Sequence, residues 1–248
     1  MAILTVMDAA DLDMEDLDTR TKLILVAERL FGERGIDAVP LREVVAGAGQ
    51  RNASALGYHI GGREELVLAI LEFRRAAVDG RRVELLDEYA RARVEMDESA
   101  IAAGVIIPLV ELMLSDPRGG NYLRFLSQAY VTERPESAYR STGQNDRGMR
   151  GCFRLYRARY PGLPPRALLE RFSLCARGAI YALADWQRDA AASRSSIPRT
   201  GLPGFAGDLI AIAANGLAAI VERERRFVPF APPRPDAPAT AELGAGSC

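Results

Sequence analysis

The chain has 248 residues, 48% of them apolar, so it is long enough to bury a hydrophobic core and is expected to be a soluble globular protein. Its 32 lysines and arginines are balanced by 33 aspartates and glutamates. Net charge therefore indicates neither a nucleic-acid nor a membrane partner, and any such signal has to be local.

The three cysteines, Cys152, Cys175 and Cys248, lie far apart and form no C-x-x-C pair, which favours a reducing cytoplasm over a metal or disulfide site. The N-terminus becomes acidic after a short apolar start, so no secretory signal is predicted. The longest apolar stretches, residues 101–110 and 209–221, are shorter than the roughly 18 residues that a membrane span requires. We therefore expect a cytoplasmic protein without a membrane segment.

Charge is distributed unevenly near the N-terminus. Residues 1–18 carry six acids and no base, whereas residues 19–63 carry seven bases and four acids. The acidic run resembles a calcium loop only superficially, because it lacks the central glycine and the spaced terminal glutamate. We predict a flexible acidic arm over residues 1–18, followed by a segment that is net positive.

Helix-forming residues dominate the rest of the chain, apolar residues return at intervals of three and four, and alternating strand patterns are missing, so an all-α protein is predicted. The first helix is capped by Asp18 or Thr19 and ends at Gly35. A short second helix begins at Pro40, and a short third is capped by Asn52. The inward face of the first helix is predicted to comprise Leu23, Ala27, Leu30 and Phe31.

A long fourth helix is expected from residue 63 to about residue 93, and five more follow, separated by clusters of Pro, Gly or Asp. Their predicted ranges are 98–115, 119–133, 137–160, 165–192 and 204–226. Residues 193–204 are predicted to form a loop, and the Pro- and Ala-rich residues 227–248 a disordered tail.

Three short helices within about 45 residues, the last two joined by a glycine turn, are typical of a helix-turn-helix unit, whose second member lies in the DNA major groove. Residues 21–71 read TKLILVAERLFGERGIDAVPLREVVAGAGQRNASALGYHIGGREELVLAIL. This segment resembles the DNA-binding region of the TetR family of transcriptional regulators, in particular the branch with a Gly-Gln-Arg-Asn turn and a Tyr-His-Phe-Gly signature. The matching positions are Ala27, Phe31, Glu33, Arg34, Gly35, Arg42, Ala48, Gly49, Gln50, Arg51, Asn52, Ser54, Tyr58, His59, Gly61, Arg63, Glu64 and Leu66.

The resemblance implies a DNA-binding domain over residues 19–66 and a larger helical domain for ligand binding and dimerisation over residues 67–226. Two positions depart from the family pattern. Ile60 stands where the family usually has phenylalanine, and Gly57 stands where a larger side chain often faces DNA. Gly57 either lets the backbone approach DNA closely or weakens the contact.

Residues at the start of the third helix are expected to read base edges, and basic residues around them to contact phosphates. The predicted base-reading residues are Arg51, Asn52 and Ser54, and the predicted phosphate contacts are Arg20, Lys22, Arg42 and Arg63. Tyr58 is predicted to offer its hydroxyl to the DNA backbone. The single histidine, His59, either caps the third helix or reaches a phosphate. It has no second histidine or cysteine nearby to form a metal site, and no cofactor is predicted.

One short recognition helix makes too few contacts for tight specific binding, so a palindromic site read by a homodimer is expected. The interface is predicted on apolar stripes of the last two helices, one comprising Leu169, Phe172, Ala176, Ala179, Ile180 and Leu183 and the other Leu209, Ile212, Ala213, Gly216 and Ile220. The alternative is that both stripes close the core of a monomer.

Between these regions, an aromatic-rich stretch is predicted to line an apolar ligand pocket, although such residues can equally belong to the core. The candidate pocket residues are Met113, Tyr122, Phe125, Tyr130, Phe153 and Tyr156. The resemblance implies a dimeric repressor that a small, largely apolar ligand releases from DNA. The alternatives are a DNA-binding regulator without an effector, and a helical enzyme. The sequence shows no nucleophile next to a base, no carboxylate pair at helical spacing in an apolar setting and no phosphate loop, so it does not support the enzyme hypothesis.

Overall fold

The structure is a computed structural model that describes residues 16–50, 54–116, 118–131, 146–192 and 201–219. All regular secondary structure in these residues is helical. These helices confirm the predicted all-α class. In chain order they are α1 (Thr19–Arg34), α2 (Leu41–Gly47), α3 (Ser54–His59), α4 (Arg63–Arg91), α5 (Glu98–Ser115), α6 (Gly119–Val131), α7 (Arg147–Arg159), α8 (Pro165–Ala192) and α9 (Leu202–Ala218).

Side-chain and backbone caps set several of these boundaries. At the start of α1, the backbone N–H of Thr21 donates to the carboxylate of Asp18 over 3.0 Å, as predicted for an N-cap. The carboxylate of Asp97 accepts from the N–H of Ala100 at the start of α5 over 2.8 Å. Pro40, predicted as the first helical residue of α2, is instead its N-cap, and the helix begins one position later at Leu41.

The later helices differ from their predicted ranges mainly at the ends. Helix α7 covers the second part of the range predicted as 137–160, and α9 begins two residues before the predicted range 204–226. Residues 132–145 and 220–248 lie outside the described residues, as do residues 1–15 of the predicted acidic arm.

Helix α1 is buried on more than its predicted inward face. Leu23, Ala27 and Phe31 are fully buried as expected, and Leu30 only partly, whereas Glu28 on another side of the helix is also fully buried. The second contact is with α6, which covers the side of α1 that the sequence left to solvent. A single inward stripe was therefore too simple a description of this helix.

The crossing of α1 and α6 is close because a glycine stands at the contact. A Cβ atom added at Gly32 would lie 3.0 Å from both the carbonyl oxygen of Asn121 and the amide nitrogen of Phe125. Beside this point the rings of Phe31 and Phe125 stack with their centroids 6.4 Å apart. Helix α1 is thus fixed directly to α6.

Helix α5 forms the apolar centre of the larger helical part. It has 18 residues with a mean hydropathy of 1.7, so by length and composition this helix could span a membrane. Its continuous apolar stretch, residues 101–110, is shorter than the roughly 18 residues of a membrane span. Moreover, 61% of the helix is buried inside the structure, where it packs against α4, α7 and α9. Such burial is typical of the core helix of a globular protein.

Candidate nucleic-acid interface and ligand cavity

Helices α2 and α3 are joined by a tight turn at Gly49. The N–H of Ala48 donates to the carbonyl of Val44, and the N–H of Gln50 donates to that of Val45, both over 3.0 Å. Between them Gly49 has a φ of 71°, a left-handed conformation that glycine adopts without strain. This turn redirects the chain between the two helices, as a helix-turn-helix requires.

Helix α3 is anchored on one side and open on the other. Leu56 is 4% exposed and faces the interior, whereas Tyr58 is 87% exposed, and Gly57 and His59 are also exposed. Ile60, just after the helix, is half-buried and still fills an inward position despite its departure from the family pattern. The short helix therefore presents a face of backbone, phenol and imidazole to the outside.

Backbone groups close the end of α3. The carbonyl of Leu56 accepts from the N–H groups of Ile60 and Gly61, each over 2.9 Å, and Gly61 has a φ of 122°. The ring of His59 lies edge-on to that of Tyr58, with the centroids 4.9 Å apart. The exposed imidazole therefore lies against the exposed phenol at the end of α3.

The start of α3 has the residues that sequence analysis assigned to base reading. Ser54 is its first helical residue, but its side chain, Arg51 and Asn52 lie outside what the structure describes. Of the predicted phosphate contacts, Arg42 on α2 and Arg20 on α1 are exposed, and Lys22 is half-buried.

Arg63 occupies a different place from the one expected for a phosphate contact. Its guanidinium donates to the backbone carbonyl of Ile36 and, over 2.9 Å, to that of Val39. It also lies over the ring of Phe31, 5.8 Å from the centroid. Arg63 therefore ties the start of α4 to the loop between α1 and α2, and the predicted phosphate role is corrected to a positioning one.

A buried charge cluster links α1 to the larger helical part. The guanidinium of Arg74 on α4 donates to both carboxylate oxygens of Glu28, over 2.7 and 2.8 Å, and to the carboxylate of Asp116 over 2.7 Å. Burial pushes the pKa of Asp116 upward, but the charge and hydrogen bonds of Arg74 hold it below its usual value. Sequence analysis missed this cluster, because its members lie far apart along the chain.

A cavity of about 250 Å³ lies between α4, α5, α6, α7 and α8. Three of the predicted pocket residues, Tyr122, Tyr130 and Phe153, line it. Its apolar wall is completed by Val78, Leu109, Leu126, Phe172 and Ile180.

The other three predicted pocket residues are not among the lining residues, which corrects that part of the prediction. Phe125 stacks on Phe31 of α1, and the hydroxyl of Tyr156 donates to the carbonyl of Leu217 over 3.0 Å. Met113 is half-buried near the end of α5. An aromatic-rich stretch contains both core and cavity residues, and composition does not separate them.

The predicted dimer interface also needs correction. Phe172, Ile180, Leu209 and Ala213 are buried within one chain, and Phe172, Ile180 and the half-buried Ala176 line the cavity instead. A Cβ added at Gly216 would lie 3.2 Å from the sulfur of Cys175, so this small residue permits close packing of α8 and α9 within the chain. Ile220 lies outside the described residues.

The outward faces of the same two helices are partly apolar. Leu174 and Tyr181 on α8 are 67% and 38% exposed, and Ile212 on α9 is 69% exposed. On the exposed side of α9, Asp208, Ala211 and Asn215 lie beside Ile212. Leu174, Tyr181 and Ile212 are the exposed stripe of α8 and α9, and Ile212 belongs to the apolar stripe that the sequence predicted.

One family model matches the part of the chain from within α5 to within α9, which includes most of the helices that line the cavity. Residues 103–216 match the family model for the tetracyclin repressor-like C-terminal domain. The match supports membership of the TetR family and a role as a TetR-type transcriptional regulator. No curated protein matches the chain. Within the described residues, the chain has no group of three or more His, Cys, Asp or Glu that could hold a metal ion.

Proposed function

We propose that the chain is a dimeric TetR-type regulator in which α3 enters the major groove of an operator. The observation that carries this proposal is the exposed outer face of α3, where Tyr58 is 87% exposed behind a left-handed turn at Gly49. The family match over residues 103–216 supports it independently, because it lies in another part of the chain.

The proposed contacts combine base reading with phosphate binding. Arg51, Asn52 and Ser54 stand at or just before the start of α3, the end of a recognition helix that reaches base edges. Arg42, Lys22, Tyr58 and His59 are proposed to contact the DNA backbone. Arg63 donates to backbone carbonyls, so we propose that it stabilises the arrangement of α1, α2 and α4 and does not contact DNA.

Dimerisation is proposed through the exposed stripe of α8 and α9. A six-residue recognition helix buries too little surface for a specific site, so two copies are needed on a palindromic operator. Leu174, Tyr181 and Ile212 offer large exposed apolar side chains that a second copy of the same helix pair would cover.

Ligand-controlled release of DNA, and hence repression, is the proposed output. Tyr122 and Leu126 on α6 line the cavity, while Phe125 on the same helix packs against Phe31 of α1. A small, largely apolar ligand that favours one position of α6 would shift α1 with it. A cavity of about 250 Å³ favours this reading over a regulator without an effector.

Selection of bound fragments from random DNA tests the central claim. We expect enrichment of a palindrome whose half-sites are about one helical turn apart. Arg51→Ala and Asn52→Ala should each reduce discrimination between this palindrome and random DNA by roughly 1–3 kcal/mol, since each good base contact contributes that much.

Arg166→Ala is the matched control, because this arginine on α8 has a side chain that is 91% exposed and pairs with Glu170, one turn along the same helix. It should leave both affinity and discrimination unchanged. Recovery of no palindromic sequence, or equal discrimination by all three variants, would contradict the proposal.

A further inference from the structure

The wall of the cavity is mainly aromatic and aliphatic. Phe153 on α7 and Phe172 on α8 meet there at an angle, with their ring centroids 5.5 Å apart. Tyr122 and Tyr130 on α6 add two more rings, and branched aliphatic side chains from α4, α5 and α8 complete the lining. Aromatic rings favour flat partners that stack on them or meet them edge-on. The wall therefore suits a compact ligand with a ring of its own.

The hydroxyl of Tyr122 is a buried polar group of this wall that the protein itself leaves unused. Tyr122 is only 4% exposed, yet its hydroxyl forms no hydrogen bond with any residue that the structure describes. Neighbouring protein atoms do not enclose the hydroxyl completely, so it borders the open space of the cavity. A buried donor that lacks a partner is costly. A ligand atom that accepts this hydrogen bond would therefore gain affinity.

Burial also sets the chemical form in which Tyr122 meets a ligand. It raises the pKa of Tyr122 to about 12, so the side chain is an uncharged phenol at neutral pH. A phenolic O–H can donate to an oxygen that carries no charge, such as that of a carbonyl group. Ser173 on α8 brings a second hydroxyl to the lining, but it is half-buried and so remains accessible to water.

The arginines of the wall are already engaged within the protein. The guanidinium of Arg82 donates to the carboxylate of Asp79 over 3.0 Å and to a backbone carbonyl of α5. Asp79 also accepts from two backbone N–H groups of α7, over 2.9 and 3.0 Å. Arg75 and Arg150 likewise have partners of their own, and Asp146 is half-buried, so water can solvate its carboxylate. A charged ligand would therefore lose its own water without gaining a free counter-charge.

The volume of the cavity limits the size of the ligand. An apolar cavity of about 150 Å³ holds benzene, so about 250 Å³ accommodates a molecule of roughly ten non-hydrogen atoms. We propose that the cavity binds a compact, uncharged aromatic carbonyl compound, its ring between the aromatic side chains and its carbonyl oxygen accepting a hydrogen bond from the Tyr122 hydroxyl. A regulatory effect of such a compound rests on the function proposed above.

Acetophenone and α-methylstyrene test the hydrogen bond, because they have the same number of non-hydrogen atoms and nearly the same shape, but only acetophenone has a carbonyl oxygen. Calorimetric titration of the full chain without DNA should give an affinity for acetophenone about tenfold higher than for α-methylstyrene, the scale of one hydrogen bond. Benzoate and benzamidine, an anion and a cation of the same size, test the effect of charge. Both should bind more weakly than acetophenone.

Two buried tyrosines separate the proposed contact from the general effect of removing a hydroxyl. Tyr122→Phe should lower the affinity for acetophenone roughly tenfold, about 1.4 kcal/mol, and leave that for α-methylstyrene unchanged. Tyr156→Phe removes a hydroxyl that donates to the carbonyl of Leu217 and does not line the cavity, so it should change neither affinity. Urea denaturation should show a loss of stability for Tyr156→Phe only, because the Tyr122 hydroxyl has no hydrogen bond within the described residues to lose. Ala176→Phe, checked for retained helicity, should fill the cavity and abolish binding of both compounds.

The inference is overturned if α-methylstyrene, benzoate or benzamidine binds as tightly as acetophenone, if Tyr122→Phe weakens binding of both neutral compounds equally, or if acetophenone does not bind at millimolar concentration. Operator binding is measured separately by fluorescence anisotropy. Absence of acetophenone binding with intact operator binding would overturn the ligand class alone. Acetophenone binding that leaves operator affinity unchanged would support the ligand class and contradict ligand-controlled release.

Discussion

Gly57 stands on the exposed face of α3 with open space where a side chain would begin. No atom lies within 4 Å of a Cβ added there, so Gly57→Ala should raise the free energy of unfolding by about 0.5–1 kcal/mol through helix propensity. If the backbone of α3 approaches DNA closely, the added methyl group should also weaken operator binding, by roughly tenfold or about 1.4 kcal/mol.

Gly80→Ala provides the control, because Gly80 on α4 is also exposed and equally free of neighbours. It should increase stability to a similar extent without changing the affinity for DNA. Urea denaturation and anisotropy titration measure the two effects. Operator binding that is unchanged in Gly57→Ala would show that close backbone approach is not needed at this position.

Arg63 and Arg42 should behave differently although sequence analysis gave both the same role. Arg63→Ala removes hydrogen bonds to the carbonyls of Ile36 and Val39, and should cost about 1.5–3 kcal/mol of stability, typical for hydrogen bonds with a charged donor. Arg42→Ala should leave stability nearly unchanged and reduce the salt dependence of operator binding by about one unit of slope.

These outcomes require operator titrations over a range of salt concentrations, together with urea denaturation of each variant. The salt dependence for Arg63→Ala should match that of the unmodified chain, because its guanidinium points into the protein. A slope flattened as much as in Arg42→Ala, with stability retained, would restore the phosphate role that the sequence indicated.

At the level of elements, the Arg74 cluster holds α1, α4 and the end of α5 together. Arg74, Glu28 and Asp116 are each at most 2% exposed, so Arg74→Met would leave the buried carboxylate of Glu28 without the guanidinium that binds both its oxygens, whereas Asp116 would keep its pair with Arg118. Breaking a buried ion pair in this way typically costs about 3–5 kcal/mol. We expect a loss of that size in urea denaturation at fixed protein concentration.

Arg81→Met is the comparison within the same helix. Arg81 pairs with Glu88 and Glu111, but its side chain is 30% exposed, so water can solvate the partners after the change. Its loss should cost about 1 kcal/mol or less. Equal losses in the two variants would contradict the view that burial of the Arg74 cluster is decisive.

The helices were predictable where the signal is local. Short-range caps and breakers determine the cap at Asp18, the helix ends at residues 34, 115 and 192, and the turn at Gly49. The structure has all of these features as expected. The second buried side of α1 was not predictable, because it depends on α6, about ninety residues further along the chain. The pairing of Arg74 with Glu28 could not be predicted either, because the two residues are 46 positions apart in the sequence.

The apolar stripes of α8 and α9 illustrate a different limit. Burial against the same chain and burial against a second copy produce the same helical periodicity, so Phe172 and Ile180 were assigned to a dimer when they line a cavity. Tyr122, Tyr130 and Phe153 were placed correctly on the cavity wall, but their aromatic neighbours Phe125 and Tyr156 were not. Which aromatic side chains border empty space depends on how five helices pack.

At the scale of the whole molecule, α6 connects the cavity to α1 and so to the helices proposed to contact DNA. Its Tyr122 lines the cavity while Phe125, three residues later, contacts Phe31 of α1. The close approach at Gly32 leaves little room for α6 to move without displacing α1. A change of shape in the cavity therefore has a short, packed route to the helices proposed to contact DNA.

Helices α8 and α9 are proposed to form the dimer and thereby to set the distance between two copies of α3. Operator recognition therefore requires the dimer. Ile212→Glu places a charge in the middle of the exposed stripe of α8 and α9, where burying it in an interface would be costly. We expect sedimentation of this variant at micromolar concentration to give a monomer, with unchanged helicity and at least a hundredfold weaker operator binding.

Leu114→Glu isolates the effect of position, because Leu114 is a similarly exposed apolar residue, 60% against 69% for Ile212, but lies on α5. It should remain dimeric and bind the operator normally, since losing an exposed leucine costs little wherever no partner covers it. If Ile212→Glu stays dimeric, the two copies must meet elsewhere, and the spacing of their recognition helices must be set by another surface. If the unmodified chain is itself a monomer at this concentration, two-fold recognition of a palindrome loses its physical basis.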